Sequence, residues 1–116
     1  MSKHPDRLST GAAEAIAAAT EIGIPALCCY ELAMLERRDR IHFDRDVRSW
    51  IAQALAADRV RALPLTADVA ISASRLLWDH DDPLDRLIVA TAIVHRAPIV
   101  TKDDRIRRFQ GVTTIW

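Results

Sequence analysis

The run Asp82-Pro83-Leu84-Asp85-Arg86-Leu87-Ile88-Val89-Ala90-Thr91-Ala92-Ile93-Val94, followed by Ala97-Pro98-Ile99-Val100-Thr101-Lys102-Asp103-Asp104, decides the fold. Two acids open a segment that is otherwise almost wholly apolar, which reads as a buried helix. Asp82 suits its N-cap, Pro83 its first helical position and Asp85 its first turn, where the dipole favours a carboxylate. A short apolar strand follows and ends in Thr-Lys-Asp-Asp. In a parallel α/β sheet, helix starts and strand carboxyl ends share one edge, and ligands bind there.

Capping accounts for each Asp singly, and Thr101 with Asp104 three residues on reads as a second cap. It does not account for the further acids at both places, Asp79 and Asp81 at the first and Asp103 at the second. Carboxylates crowded on one edge repel one another unless a cation lies between them. An oxygen-rich divalent metal site is therefore expected.

The chain has 116 residues, enough for one small domain, and half of them are hydrophobic, enough for a core. Sixteen basic and sixteen acidic residues cancel, which does not suggest a general polyanion binder and leaves room for a local basic face. No apolar run reaches transmembrane length, and Met-Ser-Lys-His-Pro-Asp-Arg leads into no secretory h-region. Cys28 and Cys29 are adjacent in an apolar run read as a strand, so they point to opposite faces and form no bond with each other. Buried thiols fit a cytoplasmic protein with no membrane association. His4, His42, His80 and His95 show no metal-ligand spacing, which argues against structural zinc.

Residues 1–8 read as a loop or disordered end. Ser9 or Thr10 caps an alanine-rich helix to about Ile22, stopped by Gly23. Residues 24–29 read as a buried strand, and residues 30–38 as a helix with Leu32 and Leu35 on one face. Asp44 or Asp46 caps an amphipathic helix over 45–57, whose Trp50 is assigned to a core or interface rather than to base stacking. Residues 59–65 alternate and read as an edge strand because of Pro64. Thr66 caps a helix to Leu77, and residues 78–81 connect it to the opening run. A strand over 98–102, a short helix from Asp103 or Asp104 to Phe109 and a last strand over 112–116 complete the chain. The order α β α α β α α β α β argues for a three-layer α/β/α fold with a mainly parallel sheet. Glu31, at the first strand–helix junction, falls on the same edge as the acids above, though the helix dipole alone also favours an acid there.

The Asp-Pro-Leu-Asp-Arg-Leu-Ile-Val-Ala-Thr-Ala run and the Ala-Pro-Ile-Val-Thr-Lys-Asp run resemble the C-terminal half of PIN-domain ribonucleases. Within them they resemble the VapC-like toxins of toxin–antitoxin pairs. Cys28-Cys29-Tyr30-Glu31 is similar to the family's Ser, apolar, Trp and Glu, with Cys28 in place of the Ser. Asp39 stands where the family has Gly. The likeness extends through residues 44–66 and the final Val-Thr-Thr-Ile-Trp, so 1–116 is read as a single PIN-like domain.

The resemblance implies a Mg²⁺- or Mn²⁺-dependent endoribonuclease that cleaves RNA phosphodiester bonds, with a VapB-like antitoxin as partner and a homodimer as the assembly. The family's second, third and fourth acids correspond to Glu31, Asp85 and Asp103, as catalytic residues and metal ligands. Asp82 caps the helix or supports the ligands, Thr101 orients a carboxylate or water, and Asp104 is an alternate to Asp103. Arg86, Lys102 and Arg105 are candidate RNA contacts, although solvated surface charge explains them as well.

The family's first strand, central in a sheet of order 3-2-1-4-5 and ending in an Asp ligand, has no counterpart in this sequence. The strands at 24–29 and 98–102 would then flank an empty lane, at about 1–3 kcal/mol for each buried unpaired backbone group. Several such groups rival a domain stability on the order of 5–15 kcal/mol. Three resolutions are open: a longer natural chain, direct pairing of the two strands, or a partner strand in the lane. With three of four acids, activity is expected to be impaired. The alternative is a catalytically inactive PIN-like protein that binds a VapB-like antitoxin. A small helical DNA-binding protein ranks below both, because no basic recognition helix stands out.

Overall fold

The computed structural model describes residues 8–116. The expectation for residues 1–7 lies outside them. Leu8, the remaining residue of the expected N-terminal loop, belongs to no helix or strand. The elements are α1 (Thr10–Ala18), β1 (Ile22–Pro25), α2 (Ala26–Arg37), α3 (Val47–Leu55), β2 (Val60–Leu63), α4 (Ala67–Ser74), α5 (Pro83–His95), β3 (Ile99–Val100), α6 (Asp104–Arg108) and β4 (Thr114–Ile115). Their order is the expected one, and the class is α/β with parallel strands.

Local chemistry sets most helix starts. The Ser9 hydroxyl accepts from the Ala12 N–H at 3.0 Å, Asp46 from the Ser49 N–H at 3.2 Å and Thr66 from the Val69 N–H at 3.2 Å. Each is a side-chain oxygen satisfying an orphan amide of a first turn. Helix α1 ends at Ala18, four residues before the expected stop. Arg59 takes over its free carbonyls, donating to Ala19 O at 2.6 Å and Ile16 O at 3.0 Å. A cation at a helix C-terminus is favoured by the dipole. Gly23 therefore stops no helix. It lies in β1, where a Cβ would fall 2.5 Å from a Leu63 methyl, so a larger residue there requires the Leu63 side chain to shift.

The strand expected over 24–29 is corrected to Ile22–Pro25. Pro25 sits at the N-cap of α2, and Leu27 to Cys29 form its first turn. Cys28 and Cys29 are thus helical neighbours, both half-buried and free. Helix α2 ends with Asp39 in the left-handed region, φ 55°, at the position where the resembled family has Gly. Helix α4 stops at Ser74 rather than Leu77, and Leu77 is fully exposed. Trp50 is 37% exposed and stacks against Phe43 with ring centroids 4.6 Å apart, so its assignment to a core does not hold.

Helix α5 is the spine. Val89, Ala90, Thr91 and Ala92 are buried, and Ala90 meets Val69 and Ala73 of α4 in the central cluster, with Leu87 beside them. The one buried polar side chain there, Thr91, donates to Leu87 O at 2.7 Å. Arg96, φ 53°, closes the helix in the left-handed region.

The sheet is in two halves. Among the described residues, β1 pairs in parallel with β2, and β3 pairs in parallel with β4. Direct closure of β1 onto β3 does not occur. Between them lies a cleft of about 470 Å³, lined by Ile22 and Ile24 of β1, Ile99 and Val100 of β3, and Ile88 and Ala92 of α5. No described helix is long and apolar enough to cross a membrane.

Candidate functional site

Asp82 and Asp85 are placed by the start of α5. The Asp82 Oδ1 accepts from the Leu84 N–H at 2.9 Å and the Asp85 N–H at 3.4 Å, and Pro83 fills the first helical position. Asp85 is then one turn in, and its Oδ2 lies 2.7 Å from His80 Nε2. Both side chains are largely buried. His80 is brought there by Arg86. Its guanidinium donates to Ala73 O at 3.0 Å, Leu76 O at 2.9 Å, Trp78 O at 2.8 Å and His80 O at 3.0 Å. Four carbonyls of the end of α4 and the following connector converge on one cation. Trp78 is held further by stacking on Phe109 and by an edge contact with His80, each 4.9 Å between ring centroids.

Glu31 approaches from the second turn of α2. Burial pushes its carboxyl above the usual range, and the charges of Asp85 and then Asp82 push it further in the same direction. Glu31, Asp82 and Asp85 thus share one electrostatic neighbourhood although they lie on different helices. The ligand atoms of His80, Asp82 and Asp85 all fall within 4.8 Å of one another. Burial likewise raises the Cys28 thiol to about 11, with Glu31 the next cause.

Asp103 is not brought into that group. It is the N-cap of α6, where its Oδ1 accepts from the Arg105 N–H at 2.9 Å and the Ile106 N–H at 3.2 Å. The Thr101 hydroxyl accepts the Asp103 N–H at 3.1 Å. The cap expected from Thr101 and Asp104 is therefore formed by Asp103 instead. Asp104 faces Arg107 and Arg108 at 3.9 Å each. Lys102 and Arg105 are exposed beside this turn, whereas Arg86 is turned inward.

Hard carboxylate oxygens gathered in one partly buried neighbourhood, where burial and then mutual repulsion raise Glu31, suit a hard divalent cation, and Mg²⁺ or Mn²⁺ fits such a donor set. His80 was missed by sequence reasoning. The only signal was its place five residues before Asp85, and the contact depends on Arg86 folding the connector back.

Comparison with known proteins identifies the family. The sequence profile of the PIN domain matches residues 4–112. Ribonuclease VapC22 of Mycobacterium tuberculosis is 42% identical over 118 aligned positions, which take in 99% of this chain and 89% of that protein. The VapBC2 structure from Rickettsia felis, solved bound to a DNA fragment from their promoter, aligns with a TM-score of 0.61. That alignment covers 87% of this chain and 78% of that one at 19% identity, a likeness of fold. The chain belongs to the PIN-domain family, and within it to the VapC-like proteins.

Proposed function

We propose that this chain, as one domain over 1–116, is a cytoplasmic VapC-like toxin acting as a metal-dependent endoribonuclease. The observation that carries the reading is the electrostatic neighbourhood that Glu31, in the second turn of α2, shares with Asp82 and Asp85 at the start of α5. Support comes from the relative named a ribonuclease.

Glu31 and Asp85, with Asp82 beside them, would hold Mg²⁺ or Mn²⁺, whereas Asp103, the third ligand expected from the sequence, caps α6 outside that group. When bound, the cation activates water and stabilises charge developing on the phosphate. The other groups position. Asp82 fixes the first turn of α5 and so the direction of Asp85. His80 engages one Asp85 oxygen and leaves the other for a ligand. Thr101 sets the turn that presents Asp103. Lys102 and Arg105 would meet the RNA backbone, where basic side chains supply affinity rather than sequence choice. A VapB-like antitoxin is the proposed partner, in keeping with the VapBC2 complex of like fold, and the assembly is a homodimer.

The test is cleavage of RNA by the purified chain in Mn²⁺, beside Asp85→Asn. Cleavage lost on substitution supports the reading. Cleavage unchanged in Asp85→Asn, or none from a folded sample, overturns it; in the latter case, capture of a VapB-like peptide would indicate a binding role.

A further inference from the structure

We infer that His80 is a nitrogen ligand of the divalent cation held at the start of α5, and that the site accordingly favours a transition-metal ion such as Mn²⁺ over Mg²⁺. That role rests on the metal-dependent reading above, though on its metal binding alone and not on cleavage.

With Asp103 committed to the cap of α6, the groups gathered around Asp85 are Glu31, Asp82 and His80. One ring nitrogen of His80 and one oxygen each of Asp82 and Asp85 lie within 4.8 Å of one another. Around a small cation with bonds of about 2.1 Å, opposite donors lie about 4.2 Å apart and adjacent donors about 3.0 Å. His80 Nε2 is 2.7 Å from Asp85 Oδ2, so the pair has to open by only a few tenths of an ångström to become neighbours on one cation. Asp82 spends Oδ1 on the amides of Leu84 and Asp85, which makes Oδ2 its candidate donor. A histidine that only steadied Asp85 could do so from a side away from Asp82. This one stands on the side that Asp82 shares.

His80 is also held in place by contacts that do not involve Asp85. Its carbonyl accepts from Arg86 Nη1 at 3.0 Å, and its ring meets Trp78 with centroids 4.9 Å apart and planes at 61°. Trp78 in turn stacks on Phe109, and its own carbonyl accepts from the same guanidinium at 2.8 Å. A side chain fixed in this way loses little freedom on binding, which favours affinity. His80 then exchanges its contact with Asp85 Oδ2 for a bond to the cation that both share.

Imidazole nitrogen is a donor for transition-metal ions, whereas Mg²⁺ dehydrates reluctantly and takes oxygen. Affinity for such a nitrogen rises from Mn²⁺ along the first row, so a preference seen with Mn²⁺ is the smallest of the series.

The experiment loads the full chain with Mn²⁺ alone and reads its pulsed EPR spectrum, with separate titrations of Mn²⁺ and Mg²⁺ for affinity. His80→Gln is the variant, because its amide keeps a donor for Asp85 and offers oxygen in place of imidazole nitrogen. Mn²⁺ bound to the parent is expected to show the coupling of a directly bonded imidazole nitrogen, which His80→Gln loses. The ratio of Mn²⁺ to Mg²⁺ affinity is expected to fall at least about tenfold in the variant. Two results overturn the inference and leave the metal site standing: Mn²⁺ bound to the parent without imidazole coupling, or both ions weakened equally in His80→Gln. Either reduces His80 to steadying Asp85. Mn²⁺ that does not bind the parent, or that binds Asp85→Asn unchanged, overturns the metal-dependent reading as well. The parent spectrum decides the matter even where the variant does not fold.

Discussion

Replacing Arg86 by Ala removes four charge-assisted hydrogen bonds at once, to the carbonyls of Ala73, Leu76, Trp78 and His80. Hydrogen bonds to a charged group contribute about 1.5–3 kcal/mol each net, but these four share one guanidinium and the part-buried carbonyls regain water when it leaves, so the expected loss is about 3 kcal/mol. That is a large share of a domain stability on the order of 5–15 kcal/mol. Arg86→Lys separates geometry from charge. An ammonium keeps the charge but cannot span four acceptors that a planar fork reaches, so it should recover about one third of the loss. Urea denaturation of the three proteins measures this, provided the slope is unchanged. In the same samples, the His80 ring signals should move, because the contact with Asp85 depends on the connector. A loss under about 0.5 kcal/mol for Arg86→Ala, within the range of ordinary surface substitutions, would refute the reasoning.

Three further outcomes are expected. The carboxyl of Glu31 is held above its ordinary range in the fold, so its ionisation works against folding. The extra stability is present at low pH and is lost as pH rises from the unfolded to the folded pKa. Glu31→Gln should therefore stabilise the apo protein at neutral pH and flatten the urea midpoint against pH in the mildly acidic range; an unchanged pH profile would contradict this. Arg96 holds φ 53°, so Arg96→Gly should raise stability by about 1 kcal/mol in the same assay, and a loss would show that its side chain matters more than its backbone. With its pKa raised to about 11, Cys28 should be about one part in a thousand thiolate at pH 8, so alkylation followed by peptide mass mapping should find it slow, accelerating tenfold per pH unit.

The parts legible in the sequence are those that depend on neighbours in the chain. Asp82-Pro83 marks the start of α5 because cap and first turn are decided within four residues. Thr66 and Ser9 mark α4 and α1 for the same reason. The apolar run at 24–29 misled because periodicity cannot separate a buried strand from the first turn of a buried helix. Here Pro25 marks the change from one to the other. The end of α1 was set by Arg59, forty residues and more away, which no local pattern reveals. The candidate site divides the same way. Glu31, Asp82 and Asp85 stood out as acids at helix starts. His80 joined them only through the tertiary fold, and Arg86, taken for a surface contact, proved to be the residue that folds the connector.

The central claim is that a divalent cation binds between the second turn of α2 and the start of α5. Titration with Mn²⁺, followed by paramagnetic loss of amide NMR signals, addresses it directly. Signals of residues 29–33 and 80–87 should vanish first in the parent chain and persist in Asp85→Asn. Broadening that ignores these segments, or that survives the substitution unchanged, would contradict the account.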